Sequence, residues 1–192
     1  MLKKRIAIFA SGTGSNAINL IKHFKESETI EIGFVLSNRT SAPIVESANN
    51  LGVTVHCITN EQAADDAFLT SFCKERDIDW IVLAGYLRLI PAEFINSFSE
   101  RIINLHPSLL PKYGGKGMYG ANVHRAVLEN REDETGITIH YVNQEFDKGR
   151  IIAQFRCALT PQDTLESVQK KIQFLEHSYL PIVIEQTIKS TL

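Results

Sequence analysis

Ile102-Ile103-Asn104-Leu105-His106-Pro107-Ser108-Leu109-Leu110-Pro111-Lys112-Tyr113 is the stretch on which the reading of this chain turns. Ile102, Ile103 and Leu105 make a compact apolar run, the mark of a buried strand. Side chains alternate along a strand, so Asn104 and His106 leave the same face. Pro107 and Pro111 then force the backbone into a loop, which puts the pair at the carboxyl end of a sheet. An amide beside an imidazole suits carbonyl chemistry: the amide donates to an oxygen that becomes negative, and the imidazole gives or takes a proton near neutral pH. The plainer role for the same pair is to tie down the proline loop.

Composition narrows the classes around this strand. With 192 residues, 44% of them hydrophobic, the chain supports one well-buried core, and a single domain over residues 1–192 is expected. A formal net charge of -2 with both signs interspersed argues against nucleic acid as a partner. Cys57, Cys73 and Cys157 are odd in number and widely spaced, which fits neither a disulfide framework nor a zinc site. Lys3-Lys4-Arg5 before Ile6-Ala7-Ile8-Phe9-Ala10 faintly imitates a signal peptide, but the apolar run is short and passes straight into a glycine loop. No stretch has the length of a membrane span, so no membrane partner and a cytoplasmic location are expected.

Upstream, Arg5 to Ala10 reads as a central parallel strand, followed by Ser11-Gly12-Thr13-Gly14-Ser15-Asn16-Ala17 and a helix with Ile18, Leu20, Ile21 and Phe24 near helical spacing. Strand, glycine loop and helix make an anion site: glycines let the backbone approach a ligand, and unpaired N–H groups at the helix start point at it. The loop also matches Gly-x-Gly-x-x-Ala, a dinucleotide fingerprint. That fingerprint asks for an acid after the second strand, Ile30 to Leu36, and the residues there are Ser37-Asn38-Arg39. Arg39 leaves an NADP reading open, and a glycine turn that only packs helix on sheet is the third choice.

Further βα alternation follows: a helix over Pro43 to Leu51, a strand over Val53 to Ile58, one helix over Glu61 to Arg76, and a strand from Asp79 to Gly85. The loop Tyr86-Leu87-Arg88-Leu89-Ile90-Pro91 can wall an apolar pocket or merely close the core. Pro91 suits the first turn of a short helix to Phe98. Gly114 to Gly120 is too glycine-rich for regular structure and reads as a mobile flap, with a helix from Asn122 to Asn130 beyond it. Gly136 to Val142 and Ile151 to Phe155 form a hairpin-like antiparallel extension, with Asp147 in the turn between them. Asp163-Thr164-Leu165-Glu166 has the form of a capping box, and Pro181 is expected to break or restart the last helix.

In an open α/β sheet, ligands bind beyond the carboxyl ends of the strands. The glycine loop, the Leu87 to Ile90 loop and Asn104/His106 all lie there, and Asp147 completes an Asn, His, Asp set. Such a set suits acyl transfer without a covalent intermediate, since an amine is itself a nucleophile. Ser108 lacks a glycine elbow, and the cysteines lack a nearby base. A metal site from His106, His124 and Asp147 is the rival, but no two of these share a usual zinc spacing.

The segments Ser11 to Asn16, Leu83 to Arg88, Ile103 to Tyr113 and Phe146-Asp147-Lys148-Gly149 together resemble the phosphoribosylglycinamide formyltransferase family of folate-dependent formyltransferases, over nearly the whole chain. The resemblance implies a Rossmann-like, mostly parallel sheet flanked by helices with an antiparallel C-terminal extension. It implies formyl transfer from 10-formyltetrahydrofolate, as co-substrate and without metal, to the amine of glycinamide ribonucleotide in purine synthesis, by a monomer or homodimer. It places the catalytic Asn, His and Asp on Asn104, His106 and Asp147. Phosphoribosyl contacts fall on Gly14, Ser15, Asn16 and Glu176, and folate contacts on Leu87, Arg88, Leu89, Ile90, Asn104 and Asn143. Two segments depart from the pattern: Ala63-Ala64-Asp65-Asp66 stands where relatives carry an Arg for the folate tail, and the flap from Gly114 to Asn122 is longer than in some members. Within the superfamily, a deformylase would add a regulatory domain ahead of strand one and a transfer-RNA formyltransferase a domain and basic surface after the core. Neither is expected here. A non-catalytic phosphate-binding module is the alternative of a different class.

Overall fold

The computed structural model describes residues 3–191. Its elements run β1 (Lys4–Phe9), α1 (Ser15–Phe24), β2 (Ile30–Ser37), α2 (Pro43–Asn50), β3 (Val55–Cys57), α3 (Asn60–Ala64), α4 (Asp66–Lys74) and β4 (Trp80–Leu83), then α5 (Ala92–Ser97), β5 (Ile102–His106), α6 (Ala121–Glu129), β6 (Glu134–Tyr141), β7 (Ile151–Ala158) and α7 (Leu165–Lys189). One seven-stranded sheet has the order β3-β2-β1-β4-β5-β6-β7. Its first five strands are parallel, and β6 and β7 each run antiparallel to the strand before them. The apolar runs explain this placement: Ile6 to Phe9 and Trp80 to Leu83 are buried, as strands covered on both faces must be.

Two apolar layers hold the sheet. On one face Leu20, Ile21 and Phe24 of α1, Ile44 and Ala48 of α2 and Ile172, Leu180 and Ile184 of α7 pack on Ile6, Ile8 and Val82. On the other, Leu69 and Cys73 of α4 and Phe94 and Ile95 of α5 pack on Ala7, Phe9 and Ile81. Strand order reverses between β1 and β4, so the loops leaving these two strands part and open a crevice at their carboxyl ends.

Several boundaries differ from the sequence reading, each for a local reason. The single helix expected over Glu61 to Arg76 is two, because Asp65 is extended (φ -95, ψ 108) and its carboxylate accepts from Phe68 N as the cap of α4. Pro91 caps α5 instead of sitting in its first turn. The third strand shortens to Val55–Cys57, with Val53 N bonded to the end of α2 at Ala48 O. The capping box of α7 pairs Thr164 with Ser167, not Asp163 with Glu166. Asp163 instead accepts from Thr160 N and Lys171 Nζ, both at 2.7 Å.

Pro181 does not break the last helix, which continues for 25 residues. A proline in a helix deprives the carbonyl four residues earlier of its donor. That carbonyl belongs to His177, and Asn19 Nδ2 on α1 donates to it at 2.8 Å. Asn19→Ala is therefore expected to cost about 1–2 kcal/mol of stability, the scale of a carbonyl left unpaired, with turnover unchanged. Urea denaturation checks this; a midpoint equal to that of the parent chain would show that the helix tolerates Pro181 unaided.

Candidate active site

Antiparallel pairing sets Asn104 of β5 directly opposite His140 of β6, so the two side chains share one face of the sheet. Asn104 Nδ2 lies 3.0 Å from His140 Nε2 and donates to Asp147 Oδ1 at 3.4 Å. His106 Nδ1 is 3.5 Å from the same Asp147 oxygen. The expected Asn104, His106 and Asp147 are thus brought together, although Asp147 lies some forty residues further along the chain. Asp147 reaches them because its loop folds down on the end of β6: a Cβ at Gly149 would overlap the Tyr141 carbonyl oxygen, so only glycine permits the approach. Asp147 itself is left-handed, φ 55. Its second oxygen, Oδ2, accepts from Gly115 N at 2.8 Å.

His106 also serves the plainer role. Nε2 lies 2.8 Å from the Tyr113 carbonyl, which accepts only, so Nε2 carries a proton and Nδ1 is left to face Asp147 and the cleft. The proline loop has further ties in Ser108 Oγ to Lys112 O and Thr138 Oγ1 to Ser108 O, both 2.7 Å. Burial pushes the His106 pKa down, more than the Asp147 charge and the Tyr113 carbonyl pull it up. Burial works against the Asp147 carboxylate too, but the nearness of His140 and His106 and the Gly115 N–H outweigh it and hold its pKa low. The two directions compete, since a charged His106 is part of what favours ionised Asp147. The state the burial supports is ionised Asp147 beside neutral His106.

His124, 5% exposed, is likewise pushed down, first by burial and then by His106. Buried neutral histidines make stability depend on pH. Below the ordinary value of 6.5 the unfolded chain takes up protons that folded His106 and His124 refuse. Stability is therefore whole above about pH 6.5 and is lost as pH falls towards the lowered folded values, with a limiting slope of about 1.4 kcal/mol per pH unit for each histidine. Urea midpoints should drop between neutral and mildly acidic buffer, and a flat profile there would contradict the assignment.

The cluster lies in a cleft of about 770 Å³. One wall is polar: Thr13, Ser15 and Asn16 from the glycine loop, with Gln173 and Glu176 from α7. Among the described residues no side chain caps α1, whose N-cap Gly14 is left-handed (φ 71), which leaves first-turn N–H groups open to an anion. Gly14 does not itself line the cleft; it shapes the turn and lies against Ile44, where no Cβ fits. Asn16 Nδ2 donates to Glu176 Oε2 at 2.9 Å, while Asn16 Oδ1 is buried without a partner among the described residues. Burial raises the Glu176 pKa, more than this bond lowers it. Ser11 belongs to the scaffold instead, donating to Asn38 Oδ1 at 2.7 Å and accepting from Leu87 N at 3.2 Å.

The other wall is apolar. Leu87, Arg88, Leu89, Ile90 and Asn143 line it, joined by Tyr119 of the flap and Phe146. Leu87, Leu89, Tyr119 and Phe146 are 45–53% exposed, a concentration of bare apolar surface that marks a ligand site. The Arg88 guanidinium donates to Asn60 O at 3.5 Å. Phe146 lies in the Asn143 to Asp147 segment that the resemblance places at the folate side; sequence reasoning missed His140: the alternation of Gly136 to Val142 does set it on one face, but only the strand register reveals that Asn104 is opposite. Among the described residues no group of three or more His, Cys, Asp or Glu is placed to hold a metal ion, and no helix is long and apolar enough to cross a membrane.

A sheet of this order, with a free helix start on one side of the cleft, an apolar wall on the other and an Asn, His, Asp cluster between them, defines an α/β protein with its candidate site at the carboxyl ends of the strands. The formyl transferase family model matches residues 4–184. The chain belongs to that family. It is 36% identical over 188 residues to a chloroplastic phosphoribosylglycinamide formyltransferase of Arabidopsis thaliana, covering 94% of this chain and 64% of that protein. A trifunctional purine biosynthetic protein of Bos taurus is 30% identical, with 95% of this chain matching 18% of that protein. The chain thus spans less than two thirds of the length of these curated relatives. Among solved structures, phosphoribosylglycinamide formyltransferase of Bacillus halodurans superposes with a TM-score of 0.88 at 32% identity, covering 98% of this chain and 97% of that one. Glycinamide ribonucleotide transformylase 1 of Symbiobacterium toebii gives 0.86 at 30% identity, covering 95% and 86%.

Proposed function

We propose that this chain transfers the formyl group of 10-formyltetrahydrofolate to the amine of glycinamide ribonucleotide, a step of purine biosynthesis. The observation that carries the reading is the convergence of Asn104, His106 and Asp147 on one point of a cleft whose two walls suit a phosphate ester and a flat apolar ring. The nucleotide's phosphate takes the N–H groups at Ser15 and Asn16, with Glu176 beside the sugar. The folate ring lies against Leu87, Leu89 and Ile90, with Asn143 at its polar edge.

The amine attacks the formyl carbon, a C–N bond forms, and the carbonyl oxygen becomes negative. The Asn104 N–H held only at 3.4 Å by Asp147 is the donor most easily given up to that oxygen. Neutral His106 takes the amine's proton at Nδ1, the imidazolium is stabilised by Asp147, and the same proton passes to the folate's departing nitrogen as its bond to carbon breaks. Tetrahydrofolate leaves, and no covalent enzyme intermediate is needed.

The continuous sheet supports reading residues 1–192 as one formyltransferase domain. Free Cys57, Cys73 and Cys157 support work in a reducing compartment such as the cytoplasm. Release of tetrahydrofolate from 10-formyltetrahydrofolate, followed spectroscopically with and without glycinamide ribonucleotide, tests the function. Release that requires the nucleotide is expected. Equal release without it would indicate a water-using deformylase, and none at all a binding module.

A further inference from the structure

His140 has no part in the steps above, yet it touches both Asn104 and Asp147 and is 2% exposed. Its Nδ1 lies 2.8 Å from the Tyr141 carbonyl oxygen. A carbonyl has no proton to give, so Nδ1 carries the hydrogen and a neutral ring must offer a lone pair at Nε2. Nε2 stands 3.0 Å from the Asn104 amide and 3.7 Å from Asp147 Oδ1. An acceptor at Nε2 can be met only by the NH2 end of the amide. The other hydrogen of that NH2 group then faces Asp147, at 3.4 Å.

We infer that His140 is a positioning residue: held as the Nδ1–H tautomer by Tyr141, it fixes which end of the Asn104 amide faces the reacting centre. Turned the other way, Asn104 would set its own oxygen against His140 Nε2, lone pair to lone pair, and against the Asp147 carboxylate as well. It would then offer no N–H to a developing oxyanion. The support extends one residue further, since the close approach of Gly149 to the Tyr141 carbonyl fixes the oxygen that holds the tautomer. This inference rests on the formyl-transfer reading for its effect on rate, but its statement about the tautomer does not.

Two variants and one spectrum test it. His140→Leu removes the acceptor and should lower kcat about tenfold to a hundredfold with both KM values within about threefold of the parent, because the lost contact acts in the transition state. His140→Gln restores an acceptor near the Nε2 position and should recover most of that loss. Equal loss of kcat in both variants, each folded by circular dichroism, would overturn the positioning role. Imidazole nitrogen NMR of the unsubstituted enzyme at neutral pH should show His140 protonated at Nδ1 and bare at Nε2, whether or not any formyl transfer is detected. A ring bare at Nδ1, or protonated at both nitrogens, would overturn the inference even if the Leu variant fails to fold.

Discussion

Asp147→Asn is expected to lower kcat at least about a hundredfold, the scale of losing a group that holds a transferring proton. The substitution keeps the shape of the side chain, and the amide oxygen can still accept from Gly115 N. What it loses is the charge that stabilises protonated His106 at 3.5 Å and one acceptor shared by Asn104 and His106. An amide NH2 placed there would meet the Asn104 N–H donor to donor. The nucleotide's KM should move little, because Ser15, Asn16 and Glu176 lie on the far wall. His106→Ala should cost a similar factor, and the double variant little more than either alone, since the two side chains act on one proton. Steady-state kinetics with both substrates settles this; full losses that multiply in the double variant would mean that the two act independently.

Gly14→Val is expected to strike the nucleotide side alone, raising its KM at least about tenfold while the folate KM stays within about threefold. Gly14 has φ 71, which a β-branched residue resists, and a Cβ there would overlap the buried side chain of Ile44. The strain moves the start of α1, the part of the cleft with free N–H groups. Some stability is lost as well, about 2–4 kcal/mol from strain and overpacking together, so binding is read on protein shown to be folded. A folate KM that rises while the nucleotide KM holds would mean that the two walls are assigned the wrong way round.

How much of this was legible in the sequence depended on whether a signal was local. Ile102 to Tyr113 revealed its strand, its paired polar side chains and its exit because alternation and proline act over a few residues. The glycine loop was equally plain. The split at Asp65 was harder, since one carboxylate competes with an otherwise helical run by capping Phe68 N. Pro181 misled for a tertiary reason: its cost to the helix is offset by Asn19, a residue far away in sequence on another helix. His140 was hidden in the same way, as its meaning comes from the register that sets it against Asn104. Asp147 was identified as an acid in a turn, but only the close approach at Gly149 brings it to the other two.

Formyl transfer at this cluster is tested most directly by the fate of the formyl carbon. Isotope-labelled 10-formyltetrahydrofolate is mixed with glycinamide ribonucleotide and the enzyme, and the products are separated and read by mass spectrometry. Label on the amine of the nucleotide, appearing at least about a hundredfold more slowly with Asp147→Asn, is the expected result. Label recovered as formate at the same rate with or without the nucleotide would contradict transfer to an amine.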